Sequence, residues 1–136
     1  ASLRPAAERR DVTLTLRGGE AVVQGVRTAL QELVYNLCDN AVKYNRPGGS
    51  VTVTAEKRGG ETVLSVADTG IGIPYEHQNR VFERFYRVDK SHSRQLGGTG
   101  LGLSIVKHAA AMHKARLELW SEPDAGTKIT VHFDGQ

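Results

Sequence analysis

The chain has 136 residues, of which 39% are hydrophobic and 24% charged, and its formal net charge is +3. This length is sufficient for one domain with its own core, and the composition is typical of a globular protein. A mild positive charge without a dense basic stripe argues against nucleic-acid binding. No apolar run is long enough to span a membrane, and the single cysteine, Cys38, excludes an internal disulfide.

We expect one domain over residues 1–136, with residues 1–10 as a linker remnant, because the first residues carry no strong pattern. Residues 12–16 alternate as in a strand, and Gly18-Gly19 marks a turn. A second short strand is expected at 21–24. Thr28 and Gln31 resemble a capping box that opens a helix to about Tyr44.

The rest of the chain predicts two hairpins and a second long helix. Residues 51–54 and 62–67 alternate on either side of Gly59-Gly60, and residues 116–121 and 127–133 do so around a turn at 122–126. Residues 101–112 form a helix, and a short helix is expected at 76–81. The pattern indicates an α/β (α+β) two-layer sandwich, with a mixed, mostly antiparallel sheet of about five strands and about three helices on one face. The irregular residues 68–100 are typical of a mobile lid.

The helix that is expected to end at about Tyr44 carries a polar face. Asn36, Asn40 and Lys43 lie at i, i+4 and i+7 and therefore share one side of it. Amide oxygens suit magnesium, which keeps several waters and shares its site with phosphates. Lys43 is in reach of such a phosphate, and Tyr44 of a base. An ordinary solvated face remains an alternative, as does core packing for Tyr44.

An aspartate follows the strand at 62–67. Asp68 can accept a hydrogen bond from the exocyclic amine of adenine, whereas guanine presents a carbonyl at that place. Gly70 and Gly72 let the backbone approach a base closely. A simple turn at the strand end is the alternative interpretation.

A glycine-rich segment, residues 97–102, opens the helix that begins near Leu101. Loop amides followed by a helix N-terminus form an anion site. The segment fits neither a P-loop nor a dinucleotide fingerprint. Between it and Asp68, Phe82 and Phe85 can anchor a basic stretch whose arginines, including Arg87, would cover phosphates; a plain basic loop is the alternative.

These blocks, in this order, resemble the N box, first glycine box, F box and second glycine box of the sensor histidine kinase ATP-binding domain, within the Bergerat-fold or GHKL superfamily. The resemblance covers about residues 12–133. It implies that Asn36 and Asn40 hold Mg²⁺ and that Asn36, Lys43 and Arg87 act in catalysis. It implies ATP contacts at further residues: Asn40, Tyr44, Asp68, Gly70, Gly72, Ile73, Phe82, Gly98, Thr99, Gly100, Leu101 and Gly102.

The implied activity is transfer of the γ-phosphoryl group of ATP to a histidine. In gyrase-like relatives a glutamate activates water at the position of Asn36, and an amide cannot act as that base. None of the five histidines of this chain has the context of a phosphoacceptor. We therefore expect the acceptor on a separate dimerisation domain and a response regulator receiver domain as the next partner.

The remaining expectations concern setting and alternatives. We expect a cytoplasmic domain that is monomeric alone and has no direct contact with membrane or nucleic acid, in a parent protein that is dimeric and membrane-anchored. A non-catalytic nucleotide-responsive interaction domain, a gyrase- or mismatch-repair-like ATPase and a serine-kinase relative are the alternatives.

Overall fold

The computed structural model describes residues 12–18, 27–83 and 102–134. These ranges contain five strands and two α-helices, with one 3-10 turn at Tyr75–His77. In chain order the elements are β1 (Thr13–Gly18), α1 (Arg27–Lys43), β2 (Ser50–Arg58), β3 (Glu61–Asp68), α2 (Gly102–Met112), β4 (Arg116–Glu122) and β5 (Gly126–Asp134). The strand expected at 21–24 and most of the expected lid lie outside the described residues.

The five strands form one mixed sheet in the order β1-β2-β3-β5-β4. β1 runs parallel to β2, and the other neighbouring pairs are antiparallel. The register sets Val51, Asp68, Thr127 and Ser121 in one row across four strands. The end of β3 therefore lies beside the start of β5 and the end of β4.

Both α-helices cover the same face of this sheet. Val53 lies opposite Val66, which lies opposite Ile129, and all three are buried beneath the helices. Trp120 and Lys128, which alternate with residues of that face, are exposed. One apolar cluster joins the helices to the sheet: Val12, Leu33, Leu37, Cys38, Ala41, Val42, Val51, Val53, Val66, Val106, Ala109, Ala110, Ile129, Val131 and Phe133. The predicted fold class, an α+β two-layer sandwich, is confirmed.

Helix α1 follows from the spacing of its apolar residues. Leu33, Leu37 and Ala41 recur at helical intervals and are at most 3% exposed. Cys38 is buried beside them, and this burial raises the pKa of its thiol to about 11. The thiol is therefore protonated at neutral pH and acts as a small apolar side chain.

Some predicted helix boundaries were wrong. Helix α1 begins at Arg27, so Thr28 lies inside its first turn and is not the capping residue. The helix expected at 76–81 is only the 3-10 turn, and Gln78 directs its side-chain amide to the backbone of Ile73 and Ser121. The described ranges thus hold two α-helices where about three helices were expected.

None of the helices in the described ranges combines the length and the apolar character that crossing a bilayer requires.

Replacing Leu37 by Ala is expected to destabilise the domain by about 2–5 kcal/mol, because it opens a cavity under α1. Val34→Ala is the matched control on the same helix, since Val34 is 36% exposed, and it is expected to cost less than about 1 kcal/mol. Urea unfolding measures both. Equal losses for the two variants would contradict the assignment of the buried face.

Candidate functional site

The polar face of α1 has two amides with unused oxygen atoms. The Nδ2 atom of Asn36 donates to the Glu32 carbonyl at 2.7 Å, which leaves its Oδ1 as the free acceptor. Within the described ranges, neither Asn36 Oδ1 nor the side-chain amide of Asn40 has a hydrogen-bond partner. Two neutral oxygen ligands one turn apart are therefore available on this face.

Lys43 lies one turn beyond Asn40 and forms an ion pair. Its Nζ is 3.1 Å from Asp39 Oδ2, and both side chains are about three-quarters buried. Asp39 therefore limits the motion of the lysine, which keeps the ammonium beside the amides. Asp39 was not among the residues predicted from the sequence, although its i, i+4 spacing to Lys43 was a usable signal.

The second glycine-rich block meets α1 at its polar face. Gly102 is the first residue of α2, and a Cβ on Gly102 would lie 3.4 Å from Asn36 Oδ1. The free amide oxygen and the N-terminal end of α2 are thus neighbours. The other predicted residues of this block and the predicted catalytic arginine lie outside the described residues: Arg87, Gly98, Thr99, Gly100 and Leu101.

Asp68 is the last residue of β3, and one of its carboxylate oxygens accepts two hydrogen bonds. Its Oδ1 accepts the backbone N–H of Gly70 at 2.9 Å and that of Thr127 at 3.2 Å. Burial raises the pKa of this carboxyl to about 6, against the opposing effect of these two bonds. No hydrogen bond to Oδ2 is found in the described part of the chain, so this oxygen remains an acceptor in a poorly hydrated place.

The loop after Asp68 is pressed against the end of α1. The amide of Ile71 donates to the Tyr44 carbonyl at 3.2 Å. A Cβ on Gly70 would collide with that same carbonyl. Gly70 is therefore required by crowding, whereas Gly72, with φ +73°, is also required by its conformation.

The same loop also touches the β4–β5 hairpin, a contact that was not predicted from the sequence. The Ile73 amide donates to Ser121 Oγ at 2.8 Å, and the Asp124 amide donates to the Ile71 carbonyl at 2.8 Å. The exposed pair of Arg46 and Asp124 adds a 2.9 Å bridge between the segment after α1 and this turn. No local sequence signal predicts these contacts, because the partners are some fifty or more residues apart.

Phe82 packs on the edge of the core. It is partly buried against the apolar cluster, and its neighbour Val81 is 8% exposed. The expectation that this aromatic residue anchors the segment before the glycine-rich block is consistent with that packing. Its predicted partner Phe85 lies outside the described ranges.

No group of three or more His, Cys, Asp or Glu side chains suitable for a metal occurs in the described residues. The oxygen donors of α1 are instead the two amides. Such a sparse, neutral donor set fits Mg²⁺, which is bound by few protein ligands together with water and substrate phosphates.

Comparison with known proteins identifies the family of the chain. Residues 25–136 match the family described as histidine kinase-, DNA gyrase B-, and HSP90-like ATPase. The chain is 49% identical over 109 residues to the sensor-like histidine kinase SenX3 of Mycolicibacterium smegmatis, which covers 80% of this chain and 28% of that protein. The chain thus spans about a quarter of the length of this relative.

Solved structures give the same result. The mycobacterial sensor histidine kinase MprB is similar, with a TM-score of 0.84 and 33% identity over 99% of this chain and 91% of that one. Full-length ShkA in complex with AMPPNP has a TM-score of 0.81 and 26% identity, covering 99% of this chain and 28% of that one. The chain therefore belongs to the histidine kinase-, DNA gyrase B- and HSP90-like ATPase family, and within it to the catalytic ATP-binding domains of sensor histidine kinases.

Proposed function

We propose that this domain binds Mg-ATP and transfers its γ-phosphoryl group to a histidine on a separate dimerisation domain. The observation that carries the proposal is the convergence of three motifs around α1. Gly102 lies beside Asn36, the loop at residues 70–71 lies against Tyr44, and Asp68 retains a free carboxylate oxygen. These are the parts that a nucleotide with a magnesium-bound phosphate chain needs.

Asp68 would read the base. Its Oδ2 would accept a hydrogen bond from the exocyclic amine of adenine, while Oδ1 stays bonded to the backbone of Gly70 and Thr127. Guanine would bring a carbonyl oxygen against the carboxylate, and two acceptors repel each other. Low hydration strengthens this discrimination, because the unpaired groups have no water to compensate them.

The polar face of α1 would hold the phosphate end. Asn36 and Asn40 offer the two amide oxygens for Mg²⁺, which supplies charge neutralisation on the phosphates when bound. Lys43 is held near them by Asp39 and provides a positive charge for the same phosphates. The N-terminal end of α2 at Gly102 adds backbone N–H donors, and Arg87 is proposed as a further cation from the family resemblance.

Phosphoryl transfer to histidine is preferred over hydrolysis because the site lacks a base at the position of Asn36. The amide cannot deprotonate water. An imidazole nitrogen needs no such activation when its lone pair is free. It forms the bond to the γ-phosphorus while the bond to the ADP oxygen breaks, and ADP leaves. Positioning and charge neutralisation then supply the catalysis.

The similarity to ShkA, whose structure contains AMPPNP, supports a nucleotide ligand for this fold. Because this chain spans 28% of SenX3, the acceptor histidine and the response regulator that receives the phosphoryl group next are proposed as separate partners. We propose a cytoplasmic location for the domain, since its substrate ATP is found there, in a parent kinase that is dimeric and membrane-anchored.

Calorimetric titration tests the proposal. The domain is titrated with ATP, with and without Mg²⁺, with GTP as the control, and phosphate release is followed in parallel. Magnesium-dependent, adenine-selective binding with negligible release is expected, together with phosphoryl transfer to an added dimerisation domain of a related kinase. Steady phosphate release without an acceptor would indicate a gyrase-like ATPase, and binding without transfer or release would indicate an interaction module.

Asp68→Asn is expected to weaken ATP binding about 10- to 100-fold and to reduce the preference over GTP, because an acceptor bonded to adenine is replaced by an amide. The same variant is expected to be more stable than the wild type without nucleotide at pH 7.5, since a partly buried charge is removed. Calorimetry and thermal unfolding measure the two effects. Retained selectivity for ATP would mean that another group reads the base.

The affinity for ATP is expected to fall below about pH 6. The pKa of Asp68 is raised to about 6 in the free domain, so a proton then occupies the carboxylate and must be displaced by adenine. The loss is about tenfold per pH unit below the pKa, with a plateau above it. The variant Asp68→Asn is the control, because the phosphate chain of ATP also titrates in this range. If ATP affinity depended on pH in the same way in that variant, Asp68 would not be the group that causes the loss.

The raised pKa of Asp68 also sets a pH trend for the free domain. The folded state holds the proton more tightly than the unfolded chain, so the stability from this group is present at low pH and is lost as pH rises through about 6. The stabilities of wild type and Asp68→Asn, measured by chemical unfolding between about pH 4 and 8, should therefore diverge as the pH rises from about 4 to about 6 and keep a constant difference above it. Parallel curves would show that the carboxyl is not desolvated.

Asn40→Ala is expected to remove the magnesium-dependent part of ATP binding, which corresponds to a loss of at least about tenfold in affinity. Gln31→Ala is the matched control, because Gln31 is an exposed amide on the same helix. Calorimetry with and without Mg²⁺ measures both variants. Unchanged magnesium dependence in Asn40→Ala would exclude this amide as a ligand.

A further inference from the structure

Ser121 is a buried hydroxyl at the end of β4 whose bonds reach the loop after Asp68. It is 5% exposed and faces the same side of the sheet as Asp68, two strands away. Its Oγ accepts the Ile73 amide at 2.8 Å, donates to the Gly126 carbonyl at 3.0 Å and contacts Thr127 Oγ1 at 2.9 Å. A buried hydroxyl with three partners is fixed in orientation.

The direction of each hydrogen bond of the Ser121 hydroxyl follows from its number of donors and acceptors. A serine hydroxyl has one proton to donate and two lone pairs with which to accept. Since the proton goes to the Gly126 carbonyl, the lone pairs accept from Ile73 and from Thr127. The hydroxyl capacity of Ser121 is then completely used, and Thr127, whose backbone binds Asp68, is held by the same group.

Gln78 completes the attachment of the loop. Its Nε2 donates to the Ile73 carbonyl at 2.9 Å and to the Ser121 carbonyl at 3.2 Å. Both backbone groups of Ile73 are therefore bonded, one to the side chain of Ser121 and one to Gln78. At its other end the loop is bonded to Tyr44 through the Ile71 amide.

We infer that Ser121 and Gln78 are positioning residues for the base-reading loop, residues 69–73, and so determine the affinity and base selectivity of the site without touching the nucleotide. The inference rests on the proposed function. Loss of either residue would remove one of the two bonds that hold the backbone of Ile73. The loop would keep its bonds to Ser50, to Tyr44 and to the Asp124 amide, so its Ile73 end would be the less restrained one. Asp68 would retain its carboxylate but lose the fixed wall beside it.

The test compares Ser121→Ala and Gln78→Met with two reference variants. Ser121→Thr keeps the hydroxyl and is the conservative rescue. Leu119→Ala lowers stability from the same strand, because Leu119 packs on the core, but it does not bond to the loop. Dissociation constants for Mg-ATP and Mg-GTP are measured well below each melting temperature, and hydrogen exchange of the Ile73 amide is measured without nucleotide.

Ser121→Ala and Gln78→Met are expected to weaken Mg-ATP binding about tenfold and to speed hydrogen exchange of the Ile73 amide. They are also expected to reduce the difference between the dissociation constants for Mg-ATP and Mg-GTP. Ser121→Thr should stay within about threefold of the wild type. Leu119→Ala should lose thermal stability but keep the wild-type ratio of the dissociation constants for Mg-ATP and Mg-GTP. If Ser121→Ala fails to fold, Gln78→Met decides the question, since its side chain is only partly buried.

Two failures are distinguishable. The positioning role would be overturned if Ser121→Ala and Gln78→Met kept the wild-type affinity for Mg-ATP, the wild-type ratio of the two dissociation constants and the wild-type exchange of the Ile73 amide. Changes no larger than those in Leu119→Ala would overturn it as well. Either result would leave the proposed function intact. Absence of ATP binding by the wild type would overturn the proposed function, and with it the role in base selectivity. The exchange of the Ile73 amide would still report whether Ser121 and Gln78 hold the loop.

Discussion

The hydrogen bonding of the partly buried carboxylate of Asp68 is the constraint on which the arrangement of the site depends. A charge removed from water is unfavourable unless hydrogen bonds replace its hydration. Here two backbone amides, from Gly70 and Thr127, supply part of that compensation, and burial still raises the pKa of the carboxyl to about 6. No hydrogen bond to the remaining oxygen is found in the described residues, which leaves it available to the adenine amine in the proposed function.

Glycines make this arrangement sterically possible. Gly70 lies against the Tyr44 carbonyl, Gly72 against the Glu122 carbonyl, and Gly126 against the carbonyl of Asp68 itself. A Cβ at any of the three would collide with backbone, which cannot move as a flexible side chain can. Close contact among the end of α1, the loop and the hairpin thus requires small residues in all three places, and the hydrogen bonds follow from that contact.

The proposed phosphate end of the site differs from the Asp68 end in its charge. Its groups are neutral amides and an ion-paired lysine, so no excess charge has to be buried before the ligand binds. Helix α1 connects the two ends, since Asn36 lies on its polar face and Tyr44 directly follows its last turn. Its buried face, centred on Leu37, fixes the helix on the sheet. This division suits the proposed function, in which one end reads the base and the other holds the phosphates.

The sequence alone determined the two-layer fold, the strand alternation and the residues of the α1 face, because these depend on periodicity and on local spacing. It also identified Asp68 and its glycines through the family resemblance. Only the tertiary structure decided that Gly102 lies beside Asn36, that Ser121 binds the Ile73 amide, and that Thr127 shares Asp68 with Gly70. The tertiary structure also has only a 3-10 turn where a helix was expected at 76–81, and Gln78 there donates a hydrogen bond to β4. Such contacts join residues distant along the chain, and strand register and helix docking, which bring them together, leave no local pattern.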